Sequence, residues 1–142
     1  MSAPAADRRD DGPTAGVSFV DASALVSLAD RDDASHAAAV AAYRDLVASG
    51  FRLFTTDLAL AAAHEMLIPA LGRGVARLWL SRCRIPVYCI TPADLEAARE
   101  MILAPAGAPN APLLDAIHLA VLDRLGVTDV FAVDRGFLRM LG

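Results

Sequence analysis

The sequence contains no lysine, so all 13 of its strongly basic residues are arginine. Receiver and phosphatase-like α/β domains and Walker-type nucleotide-binding modules depend on an active-site lysine, and its absence counts strongly against both classes. The chain has only two cysteines, Cys83 and Cys89, with no CxxC spacing and no nearby pair of histidines. This pattern disfavours a zinc site and a disulfide framework, and it favours a buried pair of thiols.

The chain also lacks a basic charge balance and long apolar runs. Its net charge of −4 argues against a protein that coats nucleic acid by bulk attraction. A local basic patch stays open as an alternative to a solvated helix face, because four arginines cluster together: Arg73, Arg77, Arg82 and Arg84. Although 56% of the residues are hydrophobic, no stretch reaches the roughly 18 apolar residues that span a bilayer, so we expect no membrane segment.

A length of 142 residues suits one domain. We assign this domain to residues 17–142 and interpret residues 1–16 as a disordered tail. The tail carries charges and turn formers but no apolar core, so it does not resemble a signal peptide. This predicts a location in the cytoplasm.

Strand and helix patterns alternate along the chain. Short apolar segments at 17–20, 51–56, 85–90 and 127–133 predict strands. Helix patterns fill the intervals, with a start signal at Thr91 and Pro92 and end signals at Gly72 and Gly126. This alternation predicts a three-layer α/β/α domain whose central, mainly parallel sheet has four to five strands.

Acidic residues follow the first and last predicted strands. Asp21 comes directly after the strand at 17–20, and Asp134 follows the last strand in the same order of strand, aspartate and helix. Asp115 lies in the first turn of the preceding helix, and Glu65 lies in an apolar helix where we expect its carboxylate to point inward. The functional crevice of an open α/β sheet lies beyond the carboxyl ends of its strands, which makes these residues candidate ligands.

Each aspartate also has a purely structural interpretation. Taken singly, Asp21, Asp115 and Asp134 are more often helix caps or partners of the helix dipole than ligands, and we assign Asp57 to capping. Taken together with Glu65, converging carboxylates would repel one another unless a divalent cation held them. Mg²⁺ or Mn²⁺ suits oxygen ligands and would activate a water for in-line attack on a phosphodiester. The set therefore favours hydrolysis of nucleic acid.

Three segments carry a resemblance to a known family: "FVDASALVSLADRDDASHAAA", "TTDLALAAAHEML" and "LLDAIHLAVLDRLGVTDVFAVDRGF". They resemble a PIN-domain protein and, within that family, the VapC ribonuclease toxins of bacterial toxin–antitoxin pairs. The likeness spans Phe19 to Phe137 and depends on the order and context of the four acids. It implies an endoribonuclease that requires Mg²⁺ or Mn²⁺ and hydrolyses RNA phosphodiester bonds.

Mapped by position, the resemblance implies a catalytic and metal-binding set of Asp21, Glu65, Asp115 and Asp134, supported by hydrogen bonding from Ser23. The three aspartates would bind the metal directly or through water. Glu65 would hold a ligand water or a second ion.

The resemblance also implies partners. They are an RNA substrate such as transfer RNA or another structured RNA, a small cognate antitoxin that blocks the acidic pocket, and a second copy of the chain in a homodimer. Arg31 and Arg135 lie beside two of the acids, where contact with RNA phosphate and solvated surface are both open interpretations. Family members often carry Thr or Ser immediately before the last aspartate, and this chain has Val133 there.

Two further interpretations stay open. The chain could be a catalytically inactive protein-binding module of the same fold, and Val133 is the residue that favours this alternative. His118 lies three residues after Asp115 on roughly the same helix face, which makes a mixed Asp and His site for a transition metal conceivable. A packed histidine is the commoner occurrence.

Overall fold

The computed structural model of the protein describes residues 16–141, so the predicted tail lies outside the described residues except for Gly16. The strands are β1 (Val17–Val20), β2 (Arg52–Thr56), β3 (Val87–Tyr88) and β4 (Asp129–Phe131). The helices are α1 (Ala22–Ala29), α2 (His36–Ala48), α3 (Asp57–Leu71), α4 (Arg73–Arg82), α5 (Pro92–Leu103), α6 (Leu113–Leu125) and α7 (Arg135–Met140). Among these helices, none is both long enough and apolar enough to cross a membrane.

The strands form one parallel sheet in the order β3-β2-β1-β4. Phe19 of β1 is in register with Phe54 of β2 on one side and with Val130 of β4 on the other. Helices cover the sheet, and the predicted three-layer α/β/α class is confirmed with four strands. Because all four strands run in the same direction, their carboxyl ends lie at one edge of the sheet.

The main hydrophobic core joins the sheet to α1 and α3. Phe19 and Leu67 are fully buried in it, as are the small residues Ala24, Ala59 and Ala63. Alanine at these positions lets the helices approach the sheet and one another closely. A smaller cluster lies between α5 and α6 and includes Ala98, Ile117 and Val121.

Several helix ends follow from the local sequence as predicted. Thr91 caps α5 in a reciprocal capping box, with Pro92 in the first helical position. Gly126 ends α6 in the left-handed conformation, with φ of 69°, which glycine adopts without steric cost. The assignment of Asp57 to capping is wrong, because the Thr56 hydroxyl caps α3 by accepting the Ala59 N–H at 3.0 Å.

The carboxylate of Asp57 has a different role. Its Oδ1 accepts the N–H of Leu58 at 2.9 Å and the N–H of Ile90 at 3.2 Å, which links the start of α3 to the segment after β3. The predicted buried thiol pair is also wrong, since Cys83 is partly exposed and Cys89 is exposed, and both are free.

Asp94 forms the main buried polar network, which holds α5 against α6. Its side chain is 1% exposed and accepts two hydrogen bonds from Arg124, at 2.9 Å from Nε and 3.2 Å from Nη2. The Tyr88 hydroxyl donates at 2.8 Å, and the backbone and hydroxyl of Thr91 donate at 2.9 and 3.0 Å. A buried carboxylate is tolerated when its lone pairs are satisfied in this way.

Replacing Arg124 by methionine tests this network, because the change keeps much of the aliphatic stem and removes both donors to Asp94. We expect Arg124→Met to lower the free energy of unfolding by about 1–3 kcal/mol, since the remaining donors satisfy only part of a buried charge. Urea denaturation measures this change. The matched control is Arg99→Met, which breaks an exposed pair with Glu96 and should cost less than about 0.5 kcal/mol. Equal losses in the two variants would contradict the assignment.

Candidate metal centre

Asp21 and Asp134 lie at the carboxyl edge of the sheet. Asp21 directly follows β1, and Asp134 comes three residues after β4. The two strands are parallel neighbours, and the Asp21 N–H donates to the Phe131 carbonyl at 3.0 Å, which extends the pairing past the end of β1. The topology therefore brings the two predicted aspartates together from positions more than a hundred residues apart in the sequence.

The hydroxyl of Ser23 connects the two strand ends. It donates to Asp21 Oδ2 at 2.9 Å and accepts the N–H groups of Val133 at 3.0 Å and Asp134 at 3.2 Å. Val133 thus joins the network through its backbone, so its apolar side chain does not break the link between the loop and Asp21. The predicted hydrogen-bonding position of Ser23 is observed.

Both aspartates also cap helices, as their structural interpretation predicted. Asp21 Oδ2 accepts the Ser23 N–H at 3.3 Å, and Asp134 Oδ1 accepts the Gly136 N–H at 3.2 Å. Each cap uses one of the two carboxylate oxygens. Capping and metal binding are therefore compatible at these positions.

Asp115 comes to the same edge from α6. It lies in the third position of that helix, and the N-cap position belongs to Pro112. Burial raises the pKa of Asp115 above its ordinary value of 3.8, and the negative charges of Asp21 and Asp134 raise it further. The three aspartates are thus close enough to repel one another. Asp21 is buried, Asp115 is half-buried and Asp134 is exposed, so the three carboxylates lie at successive depths from the interior to the surface.

Glu65 is not brought to this group. The expectation that its carboxylate points inward is wrong, because the residue is exposed on the side of α3 opposite Ala59, Ala63 and Leu67. It also comes eight residues after Asp57, which places it about 12 Å along the helix from the end that meets the site. The charges that raise the pKa of Asp115 are those of Asp21 and Asp134, and Glu65 is not among them.

Two further residues lie at the site: His118, which the sequence left open as a possible ligand, and Thr56, which was not predicted. His118 is 1% exposed, and its Nε2 lies 2.7 Å from the Thr56 hydroxyl while its Nδ1 lies 3.8 Å from Asp21 Oδ1. Thr56 is the last residue of β2 and Asp21 directly follows β1, and this position at the carboxyl end of a strand is the signal that could have identified Thr56. His118 follows Asp115 by one helical turn, and the spacing alone left its role undecided.

An open cleft of about 600 Å³ adjoins the acids. Asp115 and Asp134 lie on one wall, and the proline-rich segment of residues 108–112 forms another, together with Gly136 and Met140. A group bound at the acids would therefore be reached from solvent across a partly apolar surface.

The donor chemistry of the three aspartates fits a hard divalent cation. Their oxygens are the ligands that Mg²⁺ and Mn²⁺ prefer, and a cation would relieve the repulsion that raises the pKa of Asp115. Across residues 16–141, no three acidic, histidine or cysteine side chains are grouped tightly enough to hold an ion alone. Mg²⁺ does not need such a cage, since it commonly keeps several waters and takes one or two carboxylates together with substrate phosphate.

The buried histidine makes stability depend on pH. Burial lowers the pKa of His118 from 6.5 to about 4, although the charges of Asp21 and Asp57 oppose the shift. Between these two pH values the unfolded chain binds a proton that the folded chain does not, so stability falls as the pH falls. We expect a loss on the order of 2 kcal/mol between pH 7.5 and 5. Urea denaturation in the presence of EDTA measures this loss. The stability of His118→Asn should depend less steeply on pH. Parallel curves for the two proteins would contradict the attribution of the loss to His118.

Comparison with known proteins agrees with this architecture. The family model of the PIN domain matches residues 18–141. The crystal structure of Mycobacterium tuberculosis VapC20, a toxin that cleaves the sarcin–ricin loop, has a TM-score of 0.73 and 23% sequence identity to this chain, covering 88% of this chain and 95% of that one. An identity this low shows a shared fold alone. No curated protein matches the sequence. Because the family model covers nearly all of the described residues, the chain belongs to the PIN domain family.

Proposed function

We propose that the protein is a metal-dependent endoribonuclease that acts as the toxin of a toxin–antitoxin pair. The observation that carries the proposal is the convergence of Asp21, Asp115 and Asp134 at one sheet edge, where two of the charges raise the pKa of the third. Carboxylates that repel one another beside an open cleft are costly unless they bind a cation. The PIN domain match and the fold shared with an RNA-cleaving toxin support the same conclusion.

The three aspartates would hold Mg²⁺ or Mn²⁺, which when bound would activate water and stabilise charge on the leaving oxygen. Asp21 is the anchored ligand, because Ser23 fixes its Oδ2. Asp134 is held through its cap to Gly136 and through the Ser23 contact to its N–H. Asp115 has the greatest freedom to adjust, and it faces the cleft through which RNA would enter. Glu65 is left out of this set because of its position on α3.

The cleft suits RNA that is single-stranded or looped. The carboxylates lie in a cleft between the 108–112 segment and α7. We expect a flexible single strand or loop to bend its phosphodiester into this cleft more readily than a regular duplex. Arg135 is exposed and adjacent to Asp134. We expect its guanidinium to contact a phosphate of the bound strand. A transfer RNA or ribosomal RNA loop is the proposed class of substrate, and an RNA-cleaving toxin would meet it in the cytoplasm.

A small antitoxin and a second copy of the chain are the proposed protein partners. A second cleft of about 600 Å³ is lined mostly by apolar residues of β1, α1, α2, β2 and the 83–86 segment, with Arg52 and Arg84 among its lining residues. This composition suits an antitoxin segment that carries apolar and acidic side chains. For the homodimer, the exposed apolar residues Val75, Leu78 and Leu80 of α4 offer a surface.

Asp115→Asn tests the proposed nuclease, because the change keeps the shape of the side chain and removes its charge. We expect purified wild-type protein to cut total RNA and transfer RNA into discrete products with Mg²⁺ or Mn²⁺ and not with EDTA. The variant should lose on the order of 100-fold or more in cleavage rate, since it removes a charge that acts in the transition state. Gel analysis of end-labelled RNA measures both.

Asp123→Asn is the matched control, because Asp123 is an exposed aspartate on the same helix. It should cleave at the wild-type rate. Wild-type protein that cuts no better than Asp115→Asn under any metal, across transfer and ribosomal RNA, would instead support a catalytically inactive binding module of the same fold.

Glu65→Gln tests whether Glu65 belongs to the site, as the family resemblance implied, or lies away from it, as its exposed position indicates. From its exposed position on the far side of α3, we expect cleavage within about threefold of wild type, because a charge about 12 Å along the helix in water contributes little to the site. The same end-labelled RNA assay measures this. A loss as large as that of Asp115→Asn would show that α3 rearranges to bring Glu65 to the metal.

A further inference from the structure

His118 is a buried polar residue at the site that the proposed chemistry does not use. Its Nε2 lies 2.7 Å from Thr56 Oγ1. Its Nδ1 is buried, has no hydrogen-bond partner within 3.5 Å among the described residues, and lies 3.8 Å from Asp21 Oδ1. A buried nitrogen without a close partner is uncommon in a folded protein, and here it lies beside a proposed metal ligand.

The hydrogen bonds of Thr56 and the nearby Asp21 carboxylate together indicate where the imidazole proton lies. Thr56 Oγ1 accepts the Ala59 N–H as the cap of α3, and its own O–H can donate to His118 Nε2. That donation requires the His118 proton to be on Nδ1. The other tautomer would turn the Nδ1 lone pair toward the carboxylate of Asp21, and two buried acceptors facing each other would repel.

The imidazole is also fixed in orientation. Phe19 packs on its ring with centroids 4.7 Å apart, and Phe137 contacts it edge-on at 6.2 Å. The ring of Phe19 packs at a tilt against that of Phe54 in turn. These aromatic contacts exclude water from the imidazole ring and restrict its rotation, so that Nδ1 stays beside Asp21.

We propose that His118 is a positioning residue: fixed by the Thr56 hydroxyl, it presents Nδ1–H to Asp21 Oδ1 and sets the orientation of that carboxylate. Ser23 holds Oδ2, so the two oxygens of Asp21 are restrained from opposite sides. At 3.8 Å the contact is longer than a hydrogen bond, and it acts through the attraction between the N–H dipole and the carboxylate charge. The effect of this contact on metal binding rests on the proposed function, whereas the position of the imidazole proton does not.

The first experiment is nitrogen-15 NMR of the histidine rings in the wild-type protein at pH 7 with EDTA. Long-range correlations between ring nitrogens and carbons identify which nitrogen carries the proton. We expect the His118 ring to carry a proton on Nδ1. Asp21→Asn should move the Nδ1 resonance, and Asp123→Asn should not. A ring protonated on Nε2 alone would overturn the proposal.

The second experiment compares two replacements of His118 that differ in which ring nitrogen they imitate. Asparagine places its amide near the Nδ1 position, and glutamine places its amide near the Nε2 position. If His118 orients Asp21, His118→Gln should weaken Mn²⁺ affinity about tenfold, and His118→Asn should recover most of that loss. If His118 only fills space, the reverse order should hold, because glutamine is closer in volume to histidine. Water-proton relaxation during Mn²⁺ titration measures the affinities.

Thr56 provides a second pair of variants if those proteins do not fold. Thr56→Ser keeps the hydroxyl and should keep the proton on Nδ1 and the Mn²⁺ affinity. Thr56→Val removes the hydroxyl and should reduce both the fraction of His118 rings protonated on Nδ1 and the Mn²⁺ affinity. Unchanged behaviour in Thr56→Val would overturn the proposal. If wild-type protein binds no Mn²⁺, the proposed nuclease fails, and the proton position alone decides the role of His118.

Discussion

The pairing of β1 with β4 is the constraint on which the site depends. The bond from the Asp21 N–H to the Phe131 carbonyl continues the strand ladder to the residue that becomes the first acid. The Ser23 hydroxyl then binds the Asp21 carboxylate and two N–H groups of the loop after β4. The short side chain of Ser23 therefore links the segments after β1 and β4, which lie far apart in the sequence. A shift in this pairing would move Asp21 and Asp134 apart even if every other element kept its place.

The three aspartates differ in burial and in hydrogen bonding. Asp21 is the most buried, and its Oδ2 receives two donors from Ser23. Asp134 is exposed, and its side chain receives one donor from Gly136. Asp115 lies between them in burial, and both burial and the neighbouring charges raise its pKa. Asp115 and Asp134 both line the cleft, where a bound cation would relieve this repulsion.

Much of this arrangement could be predicted from local sequence, and each failure has a physical reason. The fold class, the α5 cap at Thr91 and the end of α6 at Gly126 are set by nearby residues, so pattern reasoning found them. The cap at Thr56 was assigned one residue too late, because Asp57 is an equally good cap by composition. The inward direction predicted for Glu65 failed because α3 is apolar on more than one side, and apolar neighbours alone do not reveal which face is buried.

Two buried aspartates in this domain show two solutions to the same electrostatic problem. Asp94 is paired with Arg124 and receives further donors from Tyr88 and Thr91, which neutralises its charge and fixes α5 to α6. An arginine beside Asp21 would do the same there, but it would also compete with a cation for the carboxylate. A neutral imidazole restrains the carboxylate through an N–H dipole and adds no positive charge. His118 beside Asp21 is therefore suited to a site whose negative charge must stay available to a metal ion, as the proposed nuclease requires.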